Sequence, residues 1–281
     1  MKFVKMHGTG NDFVLVEAQA DERDWLRLAQ AMCDRHFGVG ADGLILVLPS
    51  SRADVRMRMF NPDGSEAEMC GNGLRCIVKY AVEGGLAHPR DGRIDVETPA
   101  GVLSAQTFSD GRTVERVRVS MGVPRFAPAE IPVLVEAKRP IVDLPLEVAG
   151  HELRLTCVSM GNPHAVHFLD GPVAAFPLEE VGPLVEHHSL FPQRVNFEVA
   201  QVLAADRIEA RVWERGAGPT LACGSGASAT VVAARLQSRV GERVDITLPG
   251  GTLVIEWDGG GEVYLTGPAE RVFAGEWERE P

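Results

Sequence analysis

Apolar and polar residues alternate over six short stretches of the chain: VRMRMF (55 to 60), RIDVET (93 to 98), ERVRVS (115 to 120), RIEARVW (207 to 213), RVDITL (243 to 248) and TLVIEW (252 to 257). A period of two predicts half-buried strands. The separators NPDG, SDG, LPGG and DGGG supply turn residues. Helical periodicity is rarer. ERDWLRLAQAMCDRHF (22 to 37) predicts a helix that opens after an acidic cluster and stops at Gly38. LRCIVKYAVEGG has apolar residues at 74, 77, 78, 81 and 82, one helical face, and ends in a glycine pair. GASATVVAARL (226 to 236) is small and apolar nearly all round, which predicts a buried helix. The fold class this implies is mixed α+β (α/β), with strands wrapped around a central helix.

The pattern occurs twice. CGNG (70 to 73) is answered by CGSG (223 to 226), and MRMF ending at Phe60 by ARVW ending at Trp213. GTGNDFV (8 to 14) faces SMGNPHA (159 to 165), placing Asn11 on Asn162. HFGVGADG (36 to 43) faces LFPQRVNF (190 to 197), placing Asp42 on Asn196. IDVETPAGVL faces VDITLPGGTL, placing Pro99 on Pro249. Each pair is weakly similar, yet order and spacing hold throughout, so the chain reads as two pseudo-symmetric domains of ordinary size. The proline-rich stretch GVPRFAPAEIP (122 to 132) is the natural join.

Composition narrows the function. The net charge is -11 and the lysines are only Lys2, Lys5, Lys79 and Lys138, which speaks against a nucleic-acid or acidic-membrane partner. The longest apolar run, LILVLP (44 to 49), is too short for a membrane span, and MKFVKMHGTGNDFVLVE lacks the apolar core of a signal peptide. Cys33, Cys70, Cys76, Cys157 and Cys223 are read as reduced thiols in a cytoplasmic protein. No CxxC or HxxxH spacing is present, and no metal is expected. His164 and His167 would point to opposite faces of a strand, and His187 and His188 are read as solvated.

A cysteine at a helix N-terminus meets free backbone N–H groups and the helix dipole, which pull a thiol below its ordinary value of about 8.5. The same groups favour a carboxylate, and the following glycines let a ligand approach the backbone. A single Cys-Gly-x-Gly turn is more often structural. Two, related by an internal repeat and set in the cleft between two domains, suit inversion of a carbon next to a carboxylate. One thiolate removes a proton from one face and one thiol returns a proton on the other. Cys76 lies about 9 Å along the helix from Cys70, too far for a disulfide. Cys33 and Cys157 read as buried structural residues.

Asn11, Asn162 and Asn196 sit among apolar residues, while Asn61 and Glu214 both fall nine residues before a cysteine, with Arg215 next. Singly, such asparagines make turns. Together they can clamp a carboxylate, and Glu214 can pair an ammonium group, which implies a substrate with an amino-acid end.

KMHGTGNDFV (5 to 14), RHFGVGADGL (35 to 44), FNPDGSEAEMCGNGLRC (60 to 76), MGNPH (160 to 164), RVNFEV (194 to 199), WERGAGPTLACGSGA (213 to 227) and LTGPA (265 to 269) resemble the blocks of the diaminopimelate epimerase family. The resemblance implies pyridoxal-independent interconversion of LL- and meso-diaminopimelate, without a cofactor, on the route to lysine and peptidoglycan. It implies Cys70 and Cys223 as the base and acid pair, with His164 and Glu214 tuning the thiols. Implied ligand contacts are Asn11, Asn61, Gly71, Asn72, Asn162, Asn196, Glu214, Arg215, Gly224 and Ser225. Asn61, Asn162, Asn196 and Arg215 would hold the non-reacting end. It further implies a diaminopimelate epimerase-like fold: residues 1 to 120 with 268 to 281 as one domain, 121 to 267 as the other, in a homodimer. Some members carry a ligand-touching glutamine where this chain has Gly43. A proline or hydroxyproline racemase of the same fold is the nearest alternative. A non-catalytic amino-acid binding module, a thiol-redox protein and a pyridoxal-phosphate racemase fit the residues less well.

Overall fold

The computed structural model describes all residues except 20–22, 68, 112, 137–138 and 279–281. It divides into two compact units, Met1–Ser120 with Thr266–Pro281, and Met121–Leu265. Each is mixed α+β: a strand-rich sheet with few helices.

The first unit opens with a hairpin, β1 (Lys2–Gly8) and β2 (Asn11–Glu17), paired antiparallel through Gly8 and Asn11. Helix α1 (Trp25–Cys33) leads to β3 (Gly43–Leu48), which lies parallel to β2 and antiparallel to β4 (Val55–Phe60). Strand β3 is buried along its whole length, so LILVLP carries no alternation. A short β5 (Glu66–Ala67) precedes helix α2 (Gly71–Glu83). A hairpin of β6 (Arg93–Thr98) and β7 (Gly101–Ser109) follows, then β8 (Val114–Ser120).

Helix α1 is shorter than its sequence predicts, and part of the predicted start lies outside the described residues. Asp24 caps it through the Arg27 N–H. It ends at Cys33 because the Asp34 carboxylate accepts the N–H groups of His36 and Phe37, while Val39 and Gly40 donate to the Met32 carbonyl. Asp34 thus competes with the helix for its own next turn.

The second unit repeats the plan. Strands β9 (Ile141–Val148), β10 (His151–Ser159) and β11 (Pro163–Phe168) run antiparallel in sequence, and β11 lies parallel to β12 (Asn196–Ala204) as β2 does to β3. Strand β13 (Arg207–Glu214) corresponds to β4, and the short β14 (Gly218–Thr220) to β5. Helix α4 (Gly224–Leu236) corresponds to α2, and the hairpin β15 (Arg243–Leu248) and β16 (Gly251–Glu256) to β6 and β7. Strands β4 and β6 pair parallel, and so do β13 and β15. Helices α2 and α4 are both 13 residues long and packed against strands of their own units.

Helix α3 (Leu178–Glu186), between β11 and β12, is the addition that sequence periodicity missed. Pro177 and Pro183 bracket and interrupt it, and proline inside a run argues against a helix. It is held by packing: Leu178, Val181 and Val185 join a buried cluster with Leu155, Cys157, Phe197 and Val199. Gly182 lies so close to Trp213 that a Cβ there would sit 2.6 Å from the indole. Finally, β17 (Tyr264–Gly267) returns the chain to the first unit, where β18 (Glu270–Glu276) pairs antiparallel with β1.

Candidate active site

Cys70 and Cys223 are the N-cap residues of α2 and α4. Both have extended backbone, and each Sγ accepts the N–H of the glycine three residues on, Gly73 at 3.5 Å and Gly226 at 3.4 Å. The first helical residues are Gly71 with Asn72, and Gly224 with Ser225. The first N–H groups of an α-helix have no carbonyl partner within the helix, so a helix start favours an anion.

In the first unit the Cys70 thiol donates to Asn11 Oδ1 at 3.9 Å, and Asn72 Nδ2 donates to the same oxygen at 3.1 Å. Asn11 is fixed from behind by Asp42, whose Oδ2 accepts its amide hydrogen at 2.8 Å. Asp42 and Asp12 are tied together by Arg35 at 2.6 and 2.8 Å, and Lys5 pairs Asp12 at 2.5 Å. Burial alone would raise the Asp12 carboxyl, but hydrogen bonds from Arg35, Lys5 and Asp42 hold it down at about 2. Behind Asn72 lies Arg75, fully buried, donating to Asn72 Oδ1 at 2.9 Å, Thr9 Oγ1 at 2.8 Å and the Pro268 carbonyl at 3.0 Å. Burial lowers its guanidinium to about 10, so it is still a cation at neutral pH. Asn61 lies in the turn before β5, its amide on Ser65 Oγ at 2.9 Å.

The second unit surrounds its thiol with different chemistry. Cys223 Sγ meets Ser225 Oγ at 3.5 Å, and Ser225 Oγ accepts from Asn162 Nδ2 at 3.3 Å. Asn162 Oδ1 faces His164 Nε2 at 3.0 Å, and His164 Nδ1 faces Glu198 Oε1 at 2.7 Å. His164 and Glu198 are both fully buried. Glu214 accepts the Thr220 hydroxyl at 2.5 Å. Burial, then the charge of Glu214, push the Cys223 thiol well above its usual value; the Ser225 hydroxyl and Gly226 N–H work the other way, and Glu198 adds to the rise. A helix start was expected to lower both thiols, and at Cys223 burial beside carboxylates outweighs it.

Asn196 serves the frame. Its Oδ1 accepts the Arg215 N–H at 2.9 Å and its Nδ2 donates to the Pro163 carbonyl at 2.8 Å. Glu186 of the unforeseen helix α3 accepts from Trp213 Nε1 at 2.7 Å and Gly216 N at 2.9 Å. The turn carrying Glu214 and Arg215 is therefore anchored on both sides. The other cysteines are set apart chemically: burial pushes Cys33, Cys76 and Cys157 up to about 12, and none of the five forms a disulfide. Among the described residues no group of three His, Cys, Asp or Glu side chains is placed to hold a metal ion.

The sequence profile described as diaminopimelate epimerase matches residues 3–127 and 156–272. The chain is 52% identical over 280 residues to the diaminopimelate epimerase of Pelotomaculum thermopropionicum, covering 99% of both chains. It is 50% identical over 281 residues to that of Carboxydothermus hydrogenoformans, again covering 99% of each. The chain belongs to the diaminopimelate epimerase family. Among solved structures, a probable proline racemase from Agrobacterium radiobacter superposes with a TM-score of 0.71 at 16% identity, covering 100% of this chain and 93% of that one. A hydroxyproline epimerase from Agrobacterium vitis gives 0.70 at 17%, covering 98% and 91%. These distant neighbours share the fold.

Gly43 is the first residue of β3. A Cβ there would lie 3.0 Å from both Met59 Cε and the Phe60 carbonyl oxygen. A side chain at 43 would crowd both, and they would have to give way by a few tenths of an ångström. Glu198 is the site residue that sequence reasoning overlooked. It sits in the quoted block RVNFEV, but in a strand buried over its first five residues, where no alternation singled it out. The available signal was a carboxylate in an apolar run, which needs a partner.

Proposed function

We propose that this protein interconverts LL- and meso-diaminopimelate by a two-base mechanism without cofactor. One thiol of the Cys70 and Cys223 pair removes the α-proton and the other returns a proton to the opposite face; their roles exchange with reaction direction. The observation that carries the reading is the duplicated cysteine N-cap, in a chain about half identical over its full length to proteins named diaminopimelate epimerase. Backbone N–H groups at the two helix starts supply donors for charge that grows on the substrate carboxylate as the α-proton leaves. Asn11 and Asn72, and Asn162 and Ser225, are held by their own networks and need little reorganisation to bind. Arg215, on its anchored turn, with Asn61, Asn162 and Asn196 would hold the distal amino-acid end, and Glu214 would meet an ammonium group.

His164 and Glu214 act on the protonation of Cys223. The same reading places the enzyme in the cytoplasm as a homodimer; no helix among the described residues is long and apolar enough to cross a membrane.

The test is proton NMR of LL-diaminopimelate with the reduced protein in heavy water. Deuterium should enter at one α-carbon as the meso isomer forms. Cys70→Ala and Cys223→Ala should each lower turnover by about 10²–10⁴-fold, the usual worth of a positioned acid or base. Absence of exchange with diaminopimelate, together with exchange of proline or hydroxyproline, would move the assignment to the racemases whose fold the chain shares.

A further inference from the structure

Glu198 is buried near the start of β12 with one oxygen on His164, and its second oxygen, Oε2, has no hydrogen-bond partner among the described residues. A carboxyl group in that position would be an expense to the fold without some return. Strands β11 and β12 run parallel and both pack on α4, which brings His164 and Glu198 to the first turn of that helix. The approach is close: a Cβ on Gly226 would fall 2.9 Å from Glu198 Oε1 and 3.4 Å from Cys223 Sγ.

The hydrogen bonds count the protons. With the Asn162 amide as oriented in the structure, His164 Nε2 faces a carbonyl oxygen, which only accepts, so Nε2 carries hydrogen. The Nδ1 to Oε1 contact of 2.7 Å then needs one proton of its own. Either His164 is an imidazolium beside a carboxylate, or a neutral ring beside a carboxylic acid. A neutral ring against an ionised Glu198 would oppose two lone pairs at hydrogen-bond distance. In both permitted states the pair has no net charge. The other groups facing it are Glu214 from β13, Cys157 from β10, and Cys223 with Ser225 from α4. Burial raises the Glu198 carboxyl, which agrees with a retained proton.

We propose that Glu198 is a positioning residue for the Cys223 thiol: it holds His164 with hydrogen on Nε2, His164 fixes the Asn162 amide, and Asn162 fixes the Ser225 hydroxyl that meets the sulfur. The role rests on the reading that Cys223 is a reacting thiol. It makes Glu198 a matter of proton placement rather than of charge. A glutamine amide can donate to Nδ1 and keep the Nε2 hydrogen in place. A leucine cannot, and leaves the ring free to take the other tautomer.

The experiment combines ¹⁵N-histidine NMR of the full protein with steady-state kinetics on LL-diaminopimelate, for wild type, E198Q and E198L. His164 should show a protonated Nε2 across neutral pH in wild type and E198Q. E198L should lose kcat by about 10–100-fold, the usual cost of removing a group that orients an active-site histidine, and E198Q should recover most of that loss. A bare Nε2 in the wild-type protein overturns the proposal, as does an E198L enzyme with full kcat, or E198Q falling as far as E198L. If E198L does not fold, the nitrogen spectra of wild type and E198Q still decide. A wild-type protein with the Nε2 hydrogen in place but no action on diaminopimelate would sink the functional reading and leave the tautomer assignment standing.

Discussion

The two units build one backbone device and furnish it differently. Both place a cysteine before a 13-residue helix and aim a glycine N–H at its sulfur. Around Cys70, half-buried, stand the amides of Asn11 and Asn72 with the Arg75 cation behind them. Around Cys223, buried, stand a hydroxyl and two carboxyl groups. A duplicated fold thus preserves geometry while leaving each half free to set its own proton affinity.

Alkylation tests the difference most strongly. With iodoacetamide near neutral pH, peptide mapping should find Cys70 modified at least about tenfold faster than Cys223, because each pKa unit above the medium removes tenfold of the reactive thiolate. Equal rates would break the comparison. Glu214→Gln should sharpen it: removing a like charge beside the sulfur lowers the Cys223 pKa, so its alkylation profile moves to lower pH. Ser225→Ala removes a stabilising donor and should move it the other way.

Smaller effects are expected in packing. At Gly226 a Cβ would strike Glu198 Oε1 at 2.9 Å and Cys223 at 3.3 Å, whereas at the matched Gly73 it would press on the Ile45 Cδ1 methyl at 3.0 Å. A methyl can yield; a hydrogen-bonded carboxyl cannot do so cheaply. G226A should therefore cost about 1–3 kcal/mol in thermal unfolding. In G73A the gain of roughly 0.5–1 kcal/mol from replacing a helical glycine should offset the crowding. Equal losses would show the two helix starts to be packed alike.

Asp12 is the handle on acid stability. Its carboxyl is held at about 2 in the folded unit, against about 3.9 in an unfolded chain. Its contribution is therefore complete above about pH 4 and disappears as pH falls through about 2. D12N should flatten that acid limb of the stability curve.

Legibility from sequence followed burial. Strands β4, β6 and β15, buried on one face, show their alternation and were predicted over their observed residues. Strands β3 and β12, buried on both faces over much of their length, gave no such signal, and Glu198 was hidden with the second of them. Helix α3 was obscured by Pro183 and depends on contacts with Phe197 and Trp213 that come from later in the chain. Cys70 and Cys223 were legible because a glycine-flanked cysteine before a helical run is a local pattern. The reversal of the expected pKa direction at Cys223 was not, because it comes from burial and then from Glu214 and Glu198, on neighbouring strands.

The pairing of β18 with β1 has a consequence for biosynthesis. The Met1 ammonium group donates to the Trp277 carbonyl, and Lys2 lies opposite Glu276. Residues 270–276 leave the ribosome only after the whole of Met121–Leu265, so the unit translated first cannot complete its sheet until the second has been made. Its terminal strand β1 must wait with one edge open, which exposes it to wrong partners. The Cys223 unit, continuous in sequence, can close during translation before the Cys70 unit, which waits for β18.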